Sequence, residues 1–264
     1  MNKKKRLIFF TIISFLVLVA LFGIFLLLIQ KKQKAETKKE PSKPEIVTVK
    51  ETTIEETVKM EEETTDLPSD WDGEMEVYLE MDCFQQFPEL PTGCEAVSLT
   101  NVLNYYGFDL DKFEIVDNYL LYATEEYPVG FGGDPYSEEG TCIFPKGIVD
   151  TANNFLTEKN SNLHAYEISG TDFSDLYEYI QQGIPVLLWV TDTWDYPEYS
   201  DVVYQYEDYT YYDYYDEHCI VFSGFNREED VVEIQDPHSG SLVIDRDTLE
   251  FVYDACGMLA VIIA

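Results

Sequence analysis

"PELPTGCEAVSLTNVLNYYG", residues 88–107, sets a cysteine at the mouth of a helical pattern. Val97, Leu99, Val102, Leu103 and Tyr106 recur near helical spacing, and Gly107 stands where a left-handed C-terminal residue belongs. Thr92 and Glu95 have the T-x-x-E spacing of a capping box, which makes Thr92 the N-cap, Glu95 the N3 residue and Cys94 the N2 residue. Free backbone N–H groups and the positive end of the helix dipole favour a thiolate at that position. Gly93, lacking a side chain, leaves room for an approaching backbone. Taken alone, the stretch supports two readings of Cys94 equally: a nucleophile, or a small apolar residue packed at a helix start.

Working outward, helices come first and strands later. Pro145, Ile148, Val149, Ala152, Phe155 and Leu156 mark a second helix, and Leu176, Tyr179 and Ile180 a third over about 172–182 that ends at Gly183. The period then changes. "IPVLLWVT" (184–191), "HCIVFSGF" (218–225), "VVEI" (231–234), "SLVI" (241–244) and "MLAVIIA" (258–264) are short apolar runs bounded by Gly, Pro and Asp, the mark of strands. This order predicts an α+β domain over 71–264, with a helical half and an antiparallel β-sheet half.

The charge is divided just as sharply. Residues 1–70 carry 12 Lys and Arg against 11 Asp and Glu, whereas residues 71–264 carry 5 against 40. Such an acidic domain repels phosphate backbones, so a nucleic-acid partner is not expected, and basic peptides or cations are the favoured partners. Ahead of it, the basic tail 1–6 is followed by 23 uncharged residues from Leu7 to Ile29. As a helix these would reach about 35 Å, enough to span a membrane once. No small-residue cleavage site follows them, which favours a retained anchor over a signal peptide. Basic residues flank both ends of the span, so charge alone leaves orientation open. A short tail need not be translocated, and the expected arrangement is a cell-membrane protein with its acidic domain outside. Residues 30–70, rich in Lys, Glu, Thr and Pro and without an aromatic residue, read as a flexible stalk.

A thiolate nucleophile needs a base, and the chain has three histidines. His164 lies in a strand-like stretch, and His238 sits in the turn "QDPHSG", where exposure is the plain reading. His218 opens an apolar strand directly after a long polar segment, so its ring can project into a cleft. Asp236 ends the next strand, and a hairpin through "NREED" would bring it beside His218, where it would orient the imidazole and stabilise its cation.

"QFPELPTGCEAVSLTNVLNYYG", "GIPVLLWVT", "HCIVFSGFN" and "IQDPHSG", in this order and at these separations, resemble the C39-like peptidase family, a branch of the papain-like cysteine peptidases. The likeness runs from about residue 76 to the C-terminus. It implies a papain-like fold, Cys94 as nucleophile, His218 as base and later acid, Asp236 as the orienting residue, and an upstream glutamine as oxyanion donor, Gln86 fitting better than the adjacent Gln85. It also implies that "FGGDP" (131–135) lies near the site, with Gly93, Gly133, Asp134 and Trp189 as candidate substrate contacts. The activity implied is hydrolysis of a peptide or amide bond. A transpeptidase of the same clan, or a binding module that has kept the fold without turnover, stands as the alternative. The chain has no "GxxxxGK[ST]" motif, which argues against the leader-processing role that related domains play inside transporters.

No cofactor or metal is expected, because no Cys or His pair has zinc-finger spacing and "DLDKFE" lacks the pattern of a calcium loop. Cys83, Cys142, Cys219 and Cys256 allow three disulfide pairings, none singled out. Residues 192–217 hold 9 tyrosines and 9 acidic residues with no Lys or Arg. They form either a flap that recognises a cationic ligand or a decorated loop whose tyrosines pack on the domain.

Overall fold

A computed structural model describes residues 73–264. The basic tail, the expected span at 7–29 and the stalk lie outside the described residues, among which no helix is long and apolar enough to cross a membrane.

The elements are β1 (Glu76–Tyr78), α1 (Cys94–Tyr105), α2 (Glu114–Asn118), α3 (Pro145–Glu158), β2 (Ala165–Glu167), α4 (Phe173–Gln181), β3 (Val186–Thr191), β4 (Tyr199–Tyr206), β5 (Tyr209–Tyr214), β6 (Glu217–Asn226), β7 (Val231–Asp236), β8 (Gly240–Asp245), α5 (Arg246–Ala255) and β9 (Ala260–Ile263). Seven strands form one antiparallel sheet in the order β2-β9-β3-β6-β7-β8, with β1 also pairing β6, and β4 and β5 form a separate hairpin. The fold is α+β with an antiparallel sheet, as the sequence predicts.

The helices are divided by face of the sheet. Alternation along β3 and β6 sends Leu187, Trp189, Cys219 and Val221 to one side, where α1, α2 and α3 pack. Val186, Leu188, Val190, Ile220 and Phe222 face the other side, against α4 and α5. The expected helical half therefore holds α1–α3 only, and the remaining two helices close the sheet from behind. Helix α5 went unread in the sequence, although Asp245 caps it by accepting a hydrogen bond from the Thr248 N–H at 3.2 Å, and Leu249, Val252 and Tyr253 give it a buried face.

Helix α1 lies at the centre. Every residue from Cys94 to Leu103 is buried, so it is enclosed on all sides and not amphipathic. Its polar side chains survive burial because each has a partner. Ser98 Oγ donates to the Cys219 carbonyl at 3.0 Å, Thr100 Oγ1 to the Ala96 carbonyl at 2.8 Å, and Asn101 Oδ1 accepts from the Phe84 N–H at 2.9 Å. Gly107, at φ +90°, ends the helix in the left-handed conformation expected of it.

Candidate active site

The turn into α1 departs from the capping-box expectation. Gly93 is the N-cap and Cys94 opens the helix, with no side-chain cap. Thr92 Oγ1 donates instead to the Ser137 carbonyl at 3.1 Å, which ties the nucleophile turn to the loop after "FGGDP". Glu95 turns inward, fully buried. Its Oε1 accepts the Ile143 N–H at 2.7 Å, and its Oε2 accepts the Cys94 thiol at 3.2 Å.

The hairpin β6–β7 brings His218 and Asp236 together as expected. His218 Nε2 and Asp236 Oδ1 are 2.8 Å apart, with the imidazole 1% exposed. His218 Nδ1 is buried and has no partner, so it is the ring nitrogen free to exchange a proton. Asp236 Oδ1 also accepts the His238 N–H at 2.8 Å. Burial pushes the Asp236 carboxyl up, but the hydrogen bond and charge of His218 outweigh it and hold the group below the usual range.

Gln86 and Gln85 separate clearly. Gln86 is buried, its N–H donates to the Pro237 carbonyl at 2.8 Å, and its Nε2 donates to the Pro91 carbonyl at 3.0 Å, three residues before Cys94. The second N–H of that amide is left over. Gln85 is exposed, and its side-chain Nε2 donates to the His238 carbonyl at 3.3 Å.

A thiol at a helix mouth, an imidazole held by a carboxylate, and a buried amide beside the thiol turn thus lie on one stretch of chain that, over residues 78–261, matches the Peptidase C39 like family model. The chain belongs to the peptidase C39-like family. The uncharacterized protein YvpB of Bacillus subtilis (strain 168) is 27% identical over 197 residues, covering 71% of this chain and 73% of that protein. A protein of Bacillus anthracis assigned as a C39-like peptidase superposes with a TM-score of 0.60 at 22% identity, over 72% of this chain and 98% of that one, which is a likeness of fold. A double glycine motif protease from an AMS/PCAT transporter, solved with its leader peptide, aligns more loosely, with a TM-score of 0.40 at 16% identity over 71% of this chain and 91% of that one.

Within this C39-like domain the remaining candidate residues fall into two groups. Gly133 and Asp134 are exposed on a loop whose Pro135 carbonyl faces the Thr92 N–H at 3.5 Å, so they border the site. Gly133 has φ +85°, and a side chain there would meet the Glu139 carbonyl oxygen at 2.8 Å, so its glycine keeps that loop closed. Gly93 and Trp189 are elsewhere engaged. Gly93 is buried against Leu90, which an added Cβ would meet at 2.9 Å, so its glycine serves turn packing. Trp189 is buried between the sheet and the α1 layer, and its ring N–H donates to the Ile143 carbonyl at 3.2 Å. Its ring belongs to the core that α1 shares with the sheet.

The expected thiolate is corrected too. Burial pushes the Cys94 thiol well above its ordinary range, and the Glu95 and Glu217 carboxyls push it further. Burial likewise raises Glu95 to about 7 and Glu217 well up. This burial and charge favour the neutral thiol at rest. All five cysteines are free.

The sequence reading missed three neighbours. Glu217, next to His218, is part-exposed as a residue, but its Oε1 is enclosed and unpartnered beside Cys94 and Glu95. Asp192 and His238 pair with each other at 2.6 Å and lie against His218. Donor atoms of Cys94, Glu95 and Glu217 lie within 4.8 Å of one another, as do those of Asp192, His218 and His238. Each residue was legible as a type, but their convergence depends on where β3, β6 and the turn after β7 meet.

Proposed function

We propose that this chain is a cysteine peptidase that hydrolyses a peptide or amide bond through a thioester on Cys94. The observation that carries the reading is the buried His218–Asp236 pair at 2.8 Å, with His218 Nδ1 unpartnered, in the domain whose α1 begins at Cys94.

The chemistry follows from the free nitrogen. The thiol proton moves from Cys94 to His218 Nδ1, leaving a thiolate and an imidazolium held by Asp236. The thiolate adds to the substrate carbonyl, and the oxyanion is met by the Cys94 N–H and the spare N–H of Gln86, each donor of this kind contributing about 3–4 kcal/mol. His218 gives its proton to the departing amine, then takes one from water as that water opens the thioester and releases the acid. The resting contact from Cys94 to Glu95 must break first, so the neutral thiol is a state from which activation begins.

The anchor at 7–29 would hold the acidic domain at the outer face of the cell membrane, and its charge of 5 basic against 40 acidic residues favours basic peptides or proteins as substrates. Digestion of a peptide library by the full chain, read by mass spectrometry beside Cys94→Ala, tests the reading. Cleavage by the native chain that Cys94→Ala lacks supports it, and equal product from both overturns it. Products joined to an added amine in place of free acids would assign the chain to transpeptidation.

A further inference from the structure

The turn between β7 and β8 holds a second histidine–carboxylate pair against the first. His238 Nδ1 and Asp192 Oδ1 are 2.6 Å apart, and the His238 and His218 rings lie 4.2 Å apart between centroids, inclined at 31°. The backbone N–H of His238 reaches Asp236 Oδ1, the same oxygen that pairs with His218. Several segments hold this ring in place. Phe87 packs against it at 4.8 Å, Gln85 Nε2 donates to its carbonyl at 3.3 Å, and the Asp192 N–H donates to the Asp216 carbonyl at 2.9 Å, two residues before His218. An exposed turn residue needs none of this.

We propose that His238, with Asp192, is a positioning residue for His218: its ring covers the His218–Asp236 pair, and its backbone N–H holds the Asp236 oxygen that orients the imidazole. The proposal rests on the reading of Cys94 and His218 as a catalytic pair. Two imidazolium rings at this separation repel strongly in a half-buried site, so protonating one opposes protonating the other. The groups that face His238 are Asp192 from the end of β3, Asp236 from β7 and His218 from β6, and burial and His218 together lower its own proton affinity against the pull of the two carboxylates. As pH rises and His238 loses its proton, one repulsion on His218 disappears while Asp192 and Asp236 remain. The imidazolium that the thiolate requires is then easier to hold. At lower pH a charged His238 works against it.

The test is the pH dependence of Cys94 alkylation in the full chain, followed by mass spectrometry. His238→Phe keeps a ring over His218 and removes the charge. It is expected to move the acid side of the Cys94 alkylation profile to lower pH by on the order of one unit. Asp192→Asn removes the carboxylate that holds the His238 ring and favours its cation, and is expected to move the profile in the same direction. The Cys94 alkylation profile should move in both variants. A native alkylation profile in both variants would overturn the proposal, as would shifts in opposite directions. Alkylation does not require hydrolysis, so failure of the peptidase reading would appear separately as absence of cleavage by a chain whose alkylation profile still shifts.

Discussion

Cys94 donates its thiol hydrogen to Glu95 Oε2 at 3.2 Å, while Glu95 Oε1 is fixed by the Ile143 N–H at 2.7 Å. The nucleophile candidate therefore rests against a carboxyl that α3 holds in place through the residue two before its start. Burial and the two neighbouring carboxyls oppose ionisation of the thiol. Glu95→Gln keeps an acceptor for Ile143 and removes a carboxyl that, raised to about 7, is partly ionised near neutral pH. Alkylation of Cys94 at pH 7 should accelerate about tenfold, the effect of one unit in thiol acidity. Iodoacetamide labelling resolved by cysteine measures it, and an unchanged rate would show that Glu95 does not restrain the thiol.

The same carboxyl makes stability depend on pH. Glu95 is raised by burial from 4.5 to about 7 in the folded chain. Between those values the native state holds a proton that the unfolded chain has released, so stability falls as pH rises. The stabilisation is complete below the unfolded value and is lost as pH climbs through 7, on the order of 3 kcal/mol in all. Thermal melts across pH 5 to 8 should show a falling Tm that is flatter in Glu95→Gln. A Tm rising over that window would contradict the assignment.

Asp236 carries two tasks that substitution can separate. Asp236→Asn keeps hydrogen bonding to His218 but removes the charge that stabilises its cation, so hydrolysis should fall by at least 100-fold with little loss of stability. Asp236→Ala leaves a buried imidazole and the His238 N–H without a partner, and should also cost about 3–5 kcal/mol. Steady-state kinetics beside urea unfolding distinguish the two. Equal activity in Asp236→Asn and the native chain would remove Asp236 from the mechanism.

How far the site was legible follows from where its contacts lie. Helix α1 could be read because its apolar spacing, preceding prolines and terminal Gly107 are local, and the hairpin that joins His218 to Asp236 because its strands adjoin in sequence. The state of Cys94 could not, since it is decided by a carboxyl whose orientation depends on Ile143, 48 residues away from Glu95. Trp189 misled for a related reason. A wholly buried strand has no exposed face, so alternation along "VLLWVT" does not say which residues meet a cleft. His238 looked like an ordinary turn residue because its partner, Asp192, is 46 positions upstream.

Gln86 and Gln85 differ enough in setting to give a sharp contrast. Gln86 uses one amide N–H on the Pro91 carbonyl and has a second to offer an oxyanion. Gln86→Ala should lower kcat by about 100- to 1,000-fold with a smaller effect on KM, because the contact strengthens in the transition state. Gln85→Ala should stay within a few-fold of the native chain. The reverse ranking would move the oxyanion role to Gln85.

The acidic, tyrosine-rich segment folds as the β4–β5 hairpin, and its tyrosines divide by burial. Tyr211 stacks on Phe144 at 4.8 Å and 10° and donates its hydroxyl to Glu167 Oε2 at 2.8 Å, while Tyr214 is buried and donates to the Val190 carbonyl at 3.2 Å. Tyr196, Tyr212 and Tyr215 are 68%, 60% and 59% exposed. Deleting residues 196–214 would uncover Phe144 at the start of α3, so the whole segment is not separable from the fold. Tyr211→Ala should cost about 3–5 kcal/mol, and Tyr211→Phe about 1 kcal/mol for the lost hydrogen bond. Replacing Tyr196, Tyr212 and Tyr215 by serine should change stability by less than about 0.5 kcal/mol each, so any change in cleavage preference for basic peptides in that triple variant reports recognition. Urea unfolding and library digestion of the same proteins make the separation, and a triple variant with native preference would confine the hairpin to packing.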